Sequence, residues 1–367
     1  MATKEEANSI LTALQKAKIG GEGGAGISGF GTSLSLSSHI KFGIPTRIPQ
    51  LDLSLGRPGY PAGRVIELYG LPATGKTTAA YHAMAQCQKM GGLAVLIDTE
   101  RTFDSDRAIQ CGLDADKLLV SEANDIEEIF EKIETMLEAY EKDENLKANP
   151  LMICVDSVTA VETRYNSGRG MEEEVRVGED ARAIRRGLRK VNKYVGPLNA
   201  NLVFINHSTA LIGKSFGKQS DSAGGNGLKF YASVRVEFAY VGNITEGKNP
   251  DERTRRGQTV NISLMKNKVE KTAAPVIKVE LTENGFDLYE GLFEGFQKIG
   301  ALERVNNINW HFVPTQTTFT KKEWHNLIDS YATAEGKVLG LDGFYKYFLR
   351  LAANDGHIKP YGGPDDT

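Results

Sequence analysis

A chain of 367 residues with 40% hydrophobic and 25% charged side chains has the make-up of a globular protein built as one main domain with smaller attachments. Its 44 basic and 47 acidic residues leave a net charge of −3, which excludes a surface that is basic all over; any contact with nucleic acid must be local. No apolar run reaches the roughly 20 residues of a membrane-spanning helix, and Met1–Glu6 lack a signal-peptide core.

The expectation is therefore a cytoplasmic protein with no membrane contact. Cys87, Cys111 and Cys154 show no metal-ligand spacing and read as buried free thiols, and the six histidines form no cluster.

Residues 4–18 predict a short amphipathic helix with Ile10, Leu11 and Leu14 on one stripe and Lys16 and Lys18 at its end. The glycine-rich stretch 20–31 separates it from the rest, so it either frays or docks on a neighbouring subunit. From about 41 to 287 short apolar runs alternate with helical patterns. Strands are expected at Val65–Tyr69, Ala94–Asp98, Leu151–Asp156 and Leu202–Asn206. Asp125–Lys142 predicts a helix: Asp125 and Glu128 suggest a capping box, and Ile126, Ile129, Phe130, Ile133, Met136, Leu137 and Tyr140 recur at helical spacing. Buried strands joined by helices imply an α/β fold with a central, mostly parallel sheet. Val234–Val241, Val260–Met265 and Val276–Leu281 have no helix between them and should extend that sheet. The expected division is an N-terminal arm and linker (1–40), the core (41–287), and a small α+β C-terminal domain (288–367) carrying Trp310 and Trp324.

Gly70-Leu71-Pro72-Ala73-Thr74-Gly75-Lys76-Thr77 fits the phosphate-loop pattern G-x-x-x-x-G-K-[ST], between a strand and a helix starting near Gly75. Backbone N–H groups at such a helix start point at negative charge. Lys76 would neutralise the outer phosphates, and the Thr77 hydroxyl would ligate Mg2+. A chance glycine turn is the alternative, and the strand–loop–helix setting weighs against it. Asp156 ends one strand and suits a Mg2+ partner. Asp98 and Glu100 end another, where open α/β sheets bind ligands, making Glu100 the candidate general base for an attacking water. The pattern is that of a nucleoside triphosphatase.

Two later stretches point to a second ligand. From Gly178 to Val195, Ala181, Ile184, Leu188, Val191 and Val195 share one helical face, while Arg182, Arg185, Arg186, Arg189 and Lys193 share another. Such a stripe is either a solvated face or a surface for something negative. Before it, 164–178 reads as a surface loop. His207–Gly225 shows no periodicity and is long enough to be functional, with Lys214 and Lys218 flanking Phe216 as phosphate contacts around a stacking group. Beginning at the end of a strand beside the nucleotide site, it could be ordered by the γ-phosphate.

These residues resemble the RecA recombinase family. The likeness lies in Leu51-Asp52-Leu53-Ser54-Leu55-Gly56, the stretch Pro61–Gly70, Gly75-Lys76-Thr77-Thr78, Val155-Asp156-Ser157-Val158, Phe204-Ile205-Asn206 and the run from Gly224 to Arg235. Lys266-Asn267-Lys268 with Ala273-Ala274-Pro275 is similar to the family's segment that reaches a neighbour's ATP. The resemblance spans about residues 40–300. It implies MgATP held by the loop with Thr78, Asp104, Arg107, Asp156, His207 and Thr282, with Thr77 and Asp156 at the metal and Glu100 and Lys76 catalytic. Lys266 and Lys268 would act across a subunit boundary that also contains Lys229, Phe230 and Arg235. DNA would meet Val177, Gly178, Arg182, Arg189, Lys190, Ser208, Phe216, Gly224, Gly225 and Asn226, and the N-terminal helix would pack on the next protomer.

The implied activity is ATP-dependent filament formation on single-stranded DNA, pairing with homologous duplex and strand exchange. Competing readings are a ring-forming helicase or loader ATPase without strand exchange, and an ATP-switched protein whose basic helix binds an acidic partner. Departures from the family cluster at the base end. Arg107 and Thr282 stand where tyrosines flank adenine, His207 replaces a glutamine, Pro72 replaces an acid, and the tail ends at Asp365-Asp366-Thr367 rather than in a long acidic run. They suggest a divergent, possibly bacteriophage-encoded member.

Overall fold

A computed structural model describes residues 40–168, 178–210, 220–246, 254–270, 275–332 and 337–360. The expected N-terminal helix, Val177, Lys214, Phe216, Lys218, Ala273-Ala274 and the tail lie outside the described residues.

A two-residue ladder, β1 (Gly43–Ile44) with β2 (Tyr60–Pro61), brackets helix α1 (Pro49–Leu55). The main sheet follows: β3 (Val65–Gly70), β4 (Leu93–Asp98), β5 (Leu118–Glu122), β6 (Leu151–Asp156), β7 (Asn201–Ala210), β8 (Ser220–Ser222), β9 (Val234–Glu246), β10 (Thr254–Asn267), β11 (Ile277–Thr282) and β12 (Gly285–Phe286). Its order is β12-β11-β10-β9-β3-β7-β6-β4-β5, with β8 off the path on β7. Strands β9, β3, β7, β6, β4 and β5 are parallel, and β10, β11 and β12 extend the sheet antiparallel, as expected where no helix intervenes.

Side chains alternate across the pleat. Ile66, Leu68, Leu96, Cys154 and Val203 enter one apolar layer with helix α2 (Lys76–Lys89). Val65, Val95, Ile97, Ile153, Val155 and Phe204 enter the other, after the short helix α3 (Ser105–Gln110), with α4 (Ile126–Lys142) and, beyond α5 (Glu144–Lys147) and α6 (Arg164–Ser167), α7 (Glu179–Val195). All three cysteines are buried free thiols. Among the described residues no helix is long and apolar enough to cross a membrane.

Three details differ from the sequence reading. β5 was not anticipated: it is an edge strand whose Leu119 and Val120 stay exposed, so it lacks the buried run that marks the others. β7 runs four residues past Asn206 and pairs with β8, closing part of the long loop into a hairpin. The capping box is displaced: Asp125 accepts the Glu128 N–H at 2.6 Å, but the Glu128 carboxylate takes the N–H of Asn124, not Asp125, at 2.8 Å.

The helix α8 (Gly227–Tyr231) leads into β9. Beyond β12 come α9 (Leu288–Lys298), the antiparallel β13 (Leu302–Arg304), β14 (Asn309–Phe312) and β15 (Thr317–Thr320), then α10 (Trp324–Ser330) and α11 (Gly340–Asn354). Phe296, Phe312, Trp324, Phe344 and Phe348 form their own apolar cluster, against which Leu53 of α1 packs. The Tyr345 hydroxyl donates to Asp52 and accepts the Arg47 N–H at 2.9 Å, fastening α11 to α1.

α7 packs on α4 through Gly187. A Cβ there would lie 2.1 Å from the Phe130 ring, far inside van der Waals contact. Gly187→Ala gains about 1 kcal/mol of helix propensity, yet overpacking costs about 1–3 kcal/mol and should win. The expected result is a lower urea midpoint for Gly187→Ala; a midpoint at or above wild type would contradict this packing.

Candidate active site

The last residue of β3, Gly70, has to be glycine because β9 leaves no room: a Cβ would sit 2.1 Å from the Phe238 carbonyl oxygen. The loop then curls through left-handed backbone at Ala73 (φ 59°) and Gly75 (φ 90°), where a Cβ would meet Leu281 and Phe286 within 3 Å. The Gln258 side chain donates to the Ala73 carbonyl. The Leu71 carbonyl accepts from Thr74 Oγ1 and Lys76 Nζ, both at 2.8 Å, folding the loop over the lysine. Burial lowers the Lys76 pKa, opposed by the charges of Asp156 and Glu100. Thr77 donates to Asp156 Oδ2 at 2.7 Å, and burial pushes Asp156 up to about 6. A hydroxyl and a carboxylate in contact at a sheet end are hard oxygen donors of the kind Mg2+ takes, so these residues fit the ion.

Asp98 and Glu100 have different tasks. Asp98 accepts the N–H groups of Glu100 (3.1 Å), Arg101 (2.9 Å) and Phe103 (2.8 Å) and so shapes the turn after β4. The Glu100 carboxylate is close enough to Lys76 and Asp156 for its charge to act on both. Its Oε1 lies 3.1 Å from Nε2 of His207.

From there a polar chain crosses the sheet. Asn206 donates to Glu67 Oε1 and to the Ala223 carbonyl, both at 2.9 Å. Glu67, fully buried in β3, accepts from Arg235. Arg235 also donates to Ser222 (3.0 Å) and Asp221 (3.2 Å), and Asp221 accepts Lys229 at 2.9 Å. Sequence reasoning placed Asp98 at this strand end without its turn-shaping role, and missed Gln258 and Glu67 as parts of the site. The available signal for Glu67 was a lone acid inside an otherwise apolar strand.

At the other end of the loop, the Arg107 guanidinium donates to the carbonyls of Glu283 and Thr282 and to Thr78 Oγ1, the latter two at 3.3 Å. Asp104 caps α3 by accepting the N–H groups of Asp106 and Arg107. Arg107, Asp104, Thr78 and Thr282 are thus brought together.

Lys266 and Lys268 are not brought to this loop. Cross-strand register sets Lys266 beside Arg235 and Arg235 beside Glu67, while Phe238 lies beside Gly70. Three strand residues are about 10 Å, and the lysines lie at the far end. They donate instead to the carbonyls of Lys229 and Phe230. Burial, then Lys268, lowers Lys266 to about 8. Phe230 is 71% exposed.

Gly178 caps α7, and Gly224 and Gly225, both left-handed, pack on Thr159, Ile184 and Ala181, so the end of the long loop rests on the start of the basic helix. Asn226 precedes α8, and Ser208 pairs with Ser222. The basic face of α7 is exposed as expected, but not uniformly free. Arg182 and Arg186 each lie 3.3 Å from Glu179, and Lys190 and Lys193 lean toward Glu134 at 3.7 and 3.5 Å. Arg185 and Arg189 have no ion pair among the described residues.

His82, on α2 behind the loop, is buried, with Nδ1 3.1 Å from the Cys111 carbonyl and Nε2 accepting the Phe286 N–H at 3.2 Å. These partners require the neutral ring protonated at Nδ1, and burial lowers its pKa to about 3. A lowered pKa means that the unfolded chain takes the proton first. This contribution to stability is whole above about pH 6.5 and is lost as pH falls toward 3. Wild type should lose on the order of 2–3 kcal/mol more than His82→Gln between about pH 6.5 and 4. Parallel acid limbs in chemical denaturation of the two proteins would overturn this assignment.

A family model described as the RecA N-terminal domain matches residues 29–284. Among curated relatives described as protein RecA, that of Caulobacter sp. (strain K31) is 36% identical over 252 residues, 69% of this chain and 64% of that protein. That of Herpetosiphon aurantiacus is 39% identical over 226 residues, 62% of this chain and 59% of the relative. That of Fusobacterium nucleatum is 34% identical over 279 residues, 75% and 68% respectively. The matches span less than two thirds of the first two relatives' length.

Proposed function

The chain belongs to the RecA family, and on that premise we propose that it is a cytoplasmic, ATP-dependent homologous recombinase that assembles as helical filaments on single-stranded DNA, pairs it with homologous duplex and exchanges strands. The observation that carries the reading is the 3.1 Å contact between Glu100 and His207, which joins the candidate base to the strand leading into the second loop. The division into arm (1–40), core (41–287) and C-terminal domain (288–367) is part of the proposal.

Lys76 supplies positive charge to the outer phosphates of ATP, and Thr77 and Asp156 would hold Mg2+. When bound, the ion neutralises charge on those phosphates. Glu100 takes the proton of the attacking water. His207 shares that carboxylate, so a γ-phosphate that draws His207 away frees the base and pulls on Asn206, and through Asn206 on Glu67 and the loop's return at Ala223. Lys266 and Lys268, which lie away from their own phosphate loop, serve the ATP of an adjoining subunit, with Lys229, Phe230 and Arg235 at that boundary. The Arg189 guanidinium, with Gly178, Arg182 and Lys190 along α7, meets the DNA backbone, and the turn at Gly224, Gly225 and Asn226 closes the second loop against them.

Imaging the protein with single-stranded DNA and a slowly hydrolysed ATP analogue should show extended filaments. Discrete rings that unwind duplex without exchange would favour a helicase, and an ATPase indifferent to DNA would favour a protein-binding switch. Glu100→Gln should retain ATP and DNA binding while kcat falls by about 10²–10⁴-fold; normal turnover would mean that another group is the base. Arg182→Ala with Arg189→Ala should lower the salt slope of single-strand binding by about 1.4, for two lost phosphate contacts. An unchanged slope would return the stripe to a solvated face.

A further inference from the structure

The phosphate loop is held from outside by a strand that carries none of its motif. Ala73 takes a left-handed backbone (φ 59°), a conformation rare for a residue with a Cβ, on an exposed stretch of the loop. Its carbonyl accepts from the side-chain amide of Gln258 on β10, a residue only 6% exposed. Arg255 Nη2 in turn donates to Gln258 Oε1 at 2.8 Å. A guanidinium can only donate and a carbonyl can only accept, so the two partners fix which way the amide faces. Glutamine supplies the donor and the acceptor that the position requires.

The strand is shaped to make this relay. In a regular strand residues 255 and 258 would point to opposite faces. Between them β10 carries a bulge: Arg255 pairs with Thr245 and Gly257 with Ile244, which leaves Arg256 as an extra residue. That residue returns Arg255 to the face of Gln258, the re-aiming that bulges perform. Gly257 is forced there, since a Cβ would lie 2.4 Å from the Leu281 carbonyl oxygen. Across a trans peptide, a carbonyl and the following N–H point opposite ways. Anchoring the Ala73 carbonyl on β10 therefore aims the Thr74 N–H away from β10. Resting on the proposed reading of this loop as an ATP site, we propose that Gln258 is a positioning residue for nucleotide binding. It holds the empty loop in the shape whose N–H groups meet phosphate, and Arg255 acts through it.

The experiment is calorimetric binding of ADP with Mg2+ to the full chain, alongside ATP hydrolysis at saturating single-stranded DNA. Gln258→Met keeps the length of the side chain but neither polar group. It should weaken ADP binding and raise the KM for ATP by about 2–12-fold, the loss of one neutral hydrogen bond, with kcat unchanged. Gln258→Glu should do at least as much, because its carboxylate pairs with Arg255 but turns lone pairs toward the Ala73 carbonyl. Arg255→Ala should weaken ADP binding in the wild-type background and have no effect in Gln258→Met. Wild-type affinity in Gln258→Met, a loss of kcat at constant KM, or an Arg255→Ala effect that survives in Gln258→Met overturns the assignment. Should Gln258→Met fail to fold, Arg255→Ala decides alone, at an exposed residue, and unchanged ADP affinity overturns the relay. A wild-type chain that binds no ADP and hydrolyses no ATP would instead sink the ATP-site reading itself.

Discussion

A carboxylate with no access to water must be matched inside the protein, and Glu67 imposes that constraint on the centre of the sheet. It sits in β3, the strand that delivers the phosphate loop, and is fully buried. Leaving such a charge unpaired costs several kcal/mol. One flanking strand answers with Asn206 and the other with Arg235. The pairing therefore ties β7, β3 and β9 together. Because Asn206 adjoins His207 and Arg235 reaches Asp221, the same carboxylate stands midway between the candidate base and the surface carrying Lys229 and Phe230.

Much of this was legible in the sequence, for a physical reason. Strands buried on both faces, such as Leu151–Asp156, leave continuous apolar runs ending in a polar residue, and the parallel topology then gathers those ends at one edge. The phosphate loop was legible because glycine and lysine are forced at fixed spacing, as the Phe238 carbonyl against Gly70 illustrates. The edge strand β5 was not, since an exposed strand needs no apolar run. Nor was Glu67, whose role depends on partners 139 and 168 residues away in the chain.

The basic helix marks a third limit. Periodicity assigned its faces correctly, but not where its charges are spent. Glu179 and Glu134 already lie against Arg182, Arg186, Lys190 and Lys193, so only part of the stripe stands ready for an anion. Exposed pairs of this kind contribute about 0–1 kcal/mol and exchange readily, so they temper an attraction without blocking it. Glu134 belongs to α4, which faces α7 only in the folded chain.

Helix α1 precedes the phosphate loop in sequence, yet Leu53 packs into the C-terminal apolar cluster and Asp52 takes the hydroxyl of Tyr345. Material from both ends of the chain therefore shares one interior. A chimera that grafts residues 288–367 of one relative onto the core of another would carry half of an interlocking joint. Its α1 would need to be exchanged too, so substitutions at Asp52 and Tyr345 are expected to travel together among homologues even though nearly three hundred residues separate them.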